Sequence, residues 1–239
     1  KIKFHKKSEI ILPLHYNHIV QAFIYNIIDS NLAFFLHENG FGSSRKFKMF
    51  TFSRLTGNYD VKSKPGYIIF ANEVNLVVSS PYDTFCQSFA NGLIRKKIEL
   101  GDNKLEVVEV GLSPIEVEQD ELIIETLSPI VIYSTLTKAN GSKYTAYFQP
   151  GEKEFEVLIN QNLMHKYEAF YGKNEIEGKI NIKNISKIKQ NIIEYKNFII
   201  KGYTGNFKVK GPKEFIKIGL EAGFGSKNSM GFGCVIKKE

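Results

Sequence analysis

Twice along this chain the hydrophobic spacing changes from every second residue to every third or fourth and back, and that order leaves few folds open. Ile2 to Leu12 reads as a strand, and Asn17 to Ile28 carries helical spacing through Ile19, Phe23, Ile24 and Ile27. Asp29-Ser30-Asn31 interrupts it, and Ser30 or Asn31 is suited to cap a second short helix through Leu36 and His37, ended by Gly40-Phe41-Gly42. Phe47 to Phe52 and Tyr67 to Val78 follow as strands, Pro81 to Leu100 as a helix with Phe85, Phe89, Leu93 and Ile94 on one face, and Leu105 to Leu112 as a strand. The order β, α, β, β, α, β is the ferredoxin-like one.

The second half repeats that order more loosely. It has strand spacing at Leu122 to Ser134, a helix at Glu152 to Tyr171, strands near Ile176 to Ile185 and Ile192 to Lys210, a helix at Lys213 to Ala222 and a strand at Phe232 to Lys237. The expected class is therefore α+β, as two tandem ferredoxin-like (RRM-like, βαββαβ) domains. A chain of 239 residues is long enough for two small domains. Leu112-Ser113-Pro114-Ile115 and Leu127-Ser128-Pro129-Ile130 look repeated, each Pro explained by a strand start or edge. The boundary is placed between them, giving 1–116 and 117–239. From Glu175 to Lys183, Ile176, Ile180 and Ile182 alternate with charged and polar residues, so one sheet face is expected to be wet and partly basic.

Charge narrows the function classes. Lys and Arg outnumber Asp and Glu by 32 to 25, a net +7, which suits an anionic partner such as nucleic acid or a solvated basic surface equally. Cys86 and Cys234 lie far apart with no C-x-x-C spacing, so neither a zinc site nor a disulfide framework is indicated, and a reducing cytoplasm fits. No apolar run approaches a membrane span, and the start lacks a signal-peptide core. His37-Glu38-Asn39-Gly40-Phe41 lacks the second histidine of H-E-x-x-H, so no metal and no cofactor is expected.

The most distinctive local feature is Gly223 to Gly233, two Gly-Phe-Gly triplets bracketing Ser226-Lys227-Asn228-Ser229-Met230. Glycine permits positive φ and close backbone approach, so such a loop could offer N–H groups to phosphate with Lys227 adding charge. A tight structural turn explains the same residues equally well. The loop lacks the Gly-Lys-Ser/Thr of a P-loop, and Asn228 stands where a dinucleotide fingerprint needs glycine.

This loop resembles the signature of the RAMP superfamily of CRISPR-associated proteins, and more narrowly of the Cas-six (Cas6) family. Tyr16-Asn17-His18, Ile24-Tyr25-Asn26, Leu36-His37-Glu38, Phe50-Thr51-Phe52-Ser53, Asn91-Gly92-Leu93, Thr126 to Ile130, Glu152 to Phe155 and Tyr171-Gly172 resemble further family blocks in order. The resemblance implies two ferredoxin-like domains binding CRISPR repeat RNA. It also implies metal-independent cleavage, in which the 2′-hydroxyl attacks the neighbouring phosphate to leave a 2′,3′-cyclic phosphate and a 5′-hydroxyl. On the matching blocks it implies His37, Tyr25 and Lys48 as catalytic residues, with Arg45 and Lys46 close rivals of Lys48.

An imidazole exchanges protons near neutral pH, an ammonium neutralises a phosphorane, and a phenol hydrogen-bonds or helps activate the nucleophile. Twelve residues separate Tyr25 from His37, which would set them on different faces of one straight helix, but the break at Asp29 to Asn31 removes that conflict. RNA contacts are expected at Gly223, Gly225, Lys227, Asn228, Gly231, Gly233, Arg45, Lys46 and Arg54. His15 and His18 are expected to cap or pack, His5 and His165 to lie at the surface, and Tyr16, Phe41 and Phe224 to pack in the core rather than stack on bases. Candidate partners besides RNA are CRISPR effector-complex subunits and a second copy of the chain, with no membrane. The rival readings are a non-catalytic RAMP subunit that binds guide RNA, and a general single-strand binder, whose RNP1 pattern is absent.

Overall fold

The computed structural model describes residues 1–43, 45–172 and 175–238. In the first half the chain runs β1 (Ile2–His5), β2 (Ile10–Pro13), α1 (Asn17–Ile27), α2 (Ser30–Phe34), a π turn (Phe35–Asn39), β3 (Thr51–Phe52), β4 (Tyr59–Asp60), β5 (Tyr67–Phe70), β6 (Glu73–Leu76), β7 (Val78–Ser79), α3 (Asp83–Arg95), β8 (Ile98–Leu100) and β9 (Asn103–Val110). The second half holds β10 (Glu121–Thr126), β11 (Tyr133–Thr137), β12 (Lys143–Tyr147), α4 (Lys153–Tyr171), β13 (Asn181–Asn184), β14 (Lys189–Tyr195), β15 (Phe198–Thr204), β16 (Asn206–Lys210), α5 (Lys213–Ala222) and β17 (Val235–Lys237).

Both halves have the expected ferredoxin-like order. The first sheet runs β6-β1-β9-β8, and β7, one residue past β6, pairs with β3. The second runs β13-β16-β10-β17, with β10, α4, β13, β16, α5 and β17 supplying the six elements. Every strand pair is antiparallel. α1 buries Phe23, Ile24 and Ile27 against the first core, as its spacing predicts, with Val20 buried beside them and Ile19 only partly covered. Gly92 lets α3 cross it closely, because a Cβ there would collide with the Ile27 carbonyl.

Several predicted strands are divided. The expected Ile2 to Leu12 strand is β1 and β2, which enter different sheets, and Tyr67 to Val78 is likewise shared between two sheets as β5, β6 and β7. Phe47 to Phe52 shrinks to β3 because Phe47 is already bridged to Phe41 and Met49 has positive φ. Leu122 to Ser134 divides into β10 and the start of a hairpin, β11–β12. Ile192 to Lys210 divides at Lys196 and Asn197, both with positive φ, which turn β14 into β15. Thus two hairpins, β11–β12 and β14–β15, are added to the six-element order of the second half. Asp29, rather than Ser30 or Asn31, caps α2, its carboxylate accepting from Asn31 N and Leu32 N. In the Glu175 to Lys183 segment the strand starts only at Asn181, with Ile180 and Ile182 buried and Lys183 exposed.

Candidate active site

Three turns of chain bring the expected catalytic residues together. α1 ends at Ile27, Asp29 redirects the backbone into α2, and the π turn after it presents His37. Gly40 closes that turn with φ 63°, where a Cβ would come within 2.6 Å of the Phe47 carbonyl. Phe41 and Phe47 then exchange both backbone hydrogen bonds, at 2.7 and 2.8 Å, so the chain returns and Lys48 lies under the π turn. Lys48 Nζ donates to the His37 carbonyl at 2.5 Å. The Tyr25 ring meets the His37 ring edge-on, centroids 6.1 Å apart, and packs on Phe50 behind it.

The electrostatics divide the roles. His37 is mostly exposed, with 73% of its side chain open to solvent, and its Nδ1 lies 2.6 Å from Glu38 Oε1. A carboxylate only accepts, so Nδ1 carries the proton and Nε2 is left to exchange one with a ligand. Sequence reasoning did not single out Glu38, although its position next to a candidate histidine was the available signal. Burial pushes the Tyr25 phenol up to about 12, with the neighbouring Tyr195 adding to it. Tyr25 is therefore a phenol at neutral pH and donates rather than abstracts protons. Burial lowers the Lys48 ammonium from its usual range, Glu38 opposes that shift and Lys46 reinforces it. Lys46 and Arg45 are exposed and take no part in the Tyr25–His37 contact. Among the described residues no group of three or more His, Cys, Asp or Glu is placed to hold a metal ion.

The glycine-rich loop stitches the two halves together. Gly223, Gly225, Gly231 and Gly233 all have positive φ and are buried. Asn17 donates to the Met230 and Gly231 carbonyls, Gln21 to Ser229 and Thr51 to Phe232. From the other side, Gly233 N donates to Pro129, Ser226 N to Val131, and Cys234 N to Ser128 Oγ. Asn228 closes the loop internally by donating to the Phe224 and Phe232 carbonyls. Beneath it the ammonium of fully buried Lys166 reaches the carbonyls of Gly223 at 2.5 Å and Gly225 at 3.0 Å. Burial, with Arg45 nearby, holds that ammonium well below the usual lysine range. The geometry thus gives the glycines and Asn228 a packing role, and leaves Lys227 as the cation of the loop's half-exposed crown.

Arg45 spreads over the Phe47 ring and donates to Ser226 Oγ at 3.3 Å, while Arg54 reaches Asn191 Oδ1 on β14. His15 Nδ1 accepts from Glu194 N and His18 meets the Tyr195 ring edge-on, so both pack against the β14–β15 hairpin instead of capping α1. Tyr195 also donates to Gln21 Oε1. His165 is exposed and His5 half-buried. Tyr16 and Phe224 are core residues, and Phe41 packs among Phe35, Tyr82 and Phe170.

Residues 11–111 match the family described as CRISPR-associated protein Cas6, N-terminal, and residues 112–236 the one described as CRISPR associated protein Cas6, C-terminal. Methanocaldococcus jannaschii CRISPR-associated endoribonuclease Cas6 1 is 32% identical over 233 residues, covering 96% of this chain and 88% of the relative. Pyrococcus furiosus CRISPR-associated endoribonuclease Cas6 is 28% identical, covering 94% and 83%. A solved structure described as CRISPR associated protein Cas6 superposes with a TM-score of 0.81 at 28% identity, covering 100% of this chain and 98% of the other.

Proposed function

The chain belongs to the Cas6 family, and from that membership we propose that it is an endoribonuclease that cuts CRISPR repeat RNA without a metal ion. The observation that carries this reading is the meeting of Tyr25, His37 and Lys48 at the π turn, with His37 Nε2 turned out by Glu38. Nε2 takes the proton of the ribose 2′-hydroxyl as its oxygen bonds to phosphorus. The P–O5′ bond breaks, and O5′ leaves with a proton. Tyr25 as a phenol and Lys48 as an ammonium are the donors for O5′ and the non-bridging oxygens. The products are a 2′,3′-cyclic phosphate and a 5′-hydroxyl. Lys227, Arg45, Lys46 and Arg54 hold the RNA backbone, with the Gly223, Gly225, Gly231, Gly233 and Asn228 framework fixing the crown that carries Lys227.

The catalytic residues belong to a first domain of residues 1–116 and the loop to a second of 117–239. Support for that division comes from the two main hydrophobic clusters, which separate along the chain apart from Phe41, Phe47, Met49 and Ile115. The reaction is assigned to the cytoplasm, consistent with two unbridged cysteines and with no helix, among the described residues, long and apolar enough to cross a membrane.

The test is single-turnover cleavage of the CRISPR repeat RNA in EDTA, with product ends mapped. His37→Ala is expected to lower the rate by about 10² to 10⁴-fold, the usual contribution of general acid-base catalysis, with affinity nearly unchanged. A 2′-deoxy nucleotide upstream of the scissile phosphate should abolish cutting. Strict Mg²⁺ dependence, cutting of the deoxy substrate or a fully active His37→Ala protein would overturn the proposal.

A further inference from the structure

The two hairpins added to the second half flank a half-open pocket of about 350 Å³ that the cleavage chemistry does not use. That is the size of a small-ligand pocket, for which about 300 to 1,000 Å³ is usual. Tyr133, Tyr147 and Phe198 line it with rings, Thr145 adds a hydroxyl, and Lys201 and Lys227 add positive charge. Among the described residues no acidic one lines it. Phe198 is 73% exposed, an unusual position for a phenylalanine with only a structural role. Tyr147 donates to the Ile199 carbonyl, which holds its ring against the neighbouring hairpin, and Lys227 stands 4.9 Å from the Tyr133 ring centroid.

Tyr133 is also a wall of a second, smaller cavity of about 60 Å³, whose character is polar. Arg45, Ser226 and Asn162 line that one. Asn162 is 3% exposed, and neither the nitrogen nor the oxygen of its side chain has a partner among the described residues. The Arg45 guanidinium, the Ser226 hydroxyl and the unmet amide nitrogen of Asn162 offer donors to an anionic oxygen there, and the Asn162 carbonyl offers an acceptor.

We propose that the aromatic cavity receives one unpaired base of a bound RNA, with an adjoining phosphate drawn toward Arg45 across Tyr133. A planar, polarisable base fits rings and a flanking ammonium better than an aliphatic ligand does, and the backbone it brings supplies the negative charge the lysines lack. The proposal rests on the reading that this chain binds RNA. It adds a base contact on the inserted hairpins, which include none of Tyr25, His37 and Lys48.

The test is fluorescence anisotropy with labelled decauridylate and with a decamer of abasic tetrahydrofuran phosphates. The native protein should prefer decauridylate, and Phe198→Ala should weaken that strand by about 5- to 150-fold, the range for losing one stacked base, while leaving the abasic strand unchanged. Tyr147→Leu, which keeps most of the side-chain volume, should act in the same direction. The proposal fails if the native protein binds both strands equally or if both variants keep the preference. Cleavage of repeat RNA by the native protein at saturating concentration, read beside its base preference, separates the two readings. Undiminished cutting without base preference sinks only this cavity, whereas base preference without cutting sinks only the nuclease.

Discussion

Replacing Gly233 with alanine measures how tightly the glycine-rich loop is built. Gly233 has φ 73°, and its added Cβ would fall within the contact shell of the Phe224 carbonyl oxygen and 2.7 Å from Asn228 Nδ2. The left-handed conformation alone costs alanine about 1–2 kcal/mol. Relieving the collision displaces the Phe224 N to Gly233 O bond of 2.9 Å and the Asn228 to Phe224 bond of 3.3 Å, each with a net value of about 1 kcal/mol. The expected loss is about 3–4 kcal/mol, or roughly 6–16 °C in melting temperature for a chain of this size. Gly66→Ala is the matched control, since Gly66 has φ 82° and nothing within 4 Å of its Cβ position, so it reports the backbone term alone. Thermal unfolding followed by circular dichroism gives both values. Equal shifts for the two variants would refute the close-packing account. A large loss of RNA affinity in folded Gly233→Ala, at a temperature where it stays native, would instead return a direct binding role to the glycine backbone.

Lys48→Ala should differ from His37→Ala by losing both single-turnover rate and some affinity, because its charge acts on the ground-state phosphate as well as the transition state; filter binding beside cleavage separates these effects. Glu221, between Lys217 and Asp83, is pushed up to about 7, chiefly by burial. The folded protein therefore binds this proton more tightly than the unfolded chain, and stability declines as pH rises from about 4.5 to about 7. Glu221→Gln should remove that decline, gaining about 1–2 kcal/mol at pH 8 and nothing at pH 4 in urea unfolding, a value discounted for the solvent the group still reaches.

What could be read from the sequence follows physical periodicity. α1, α4 and α5 begin and end within a residue or so of their hydrophobic patterns, because one face of each packs on a core. The β11–β12 hairpin escaped because its strands are half-buried or exposed at every position and so carry no alternation. The β14–β15 turn escaped because Lys196 and Asn197 make it without Gly or Pro. At the candidate active site, the break at Asp29 was legible, but the π turn and the Phe41–Phe47 return that set Lys48 beside His37 follow no spacing rule. Only the resemblance grouped those residues. The partners of Asn17, Gln21 and Thr51 lie 181 to 214 positions away, beyond any local pattern.

That separation bears on how the molecule is made. During synthesis, the polar groups of α1 and β3 that will face the other half emerge long before Ser229, Met230 and Phe232 exist to accept from them. The first ferredoxin-like half can assemble its own sheet and helices early, but its seam stays wet until the Gly223 to Gly233 loop is out. The seam thus closes only after the Gly223 to Gly233 loop has emerged, through contacts of very high sequence separation.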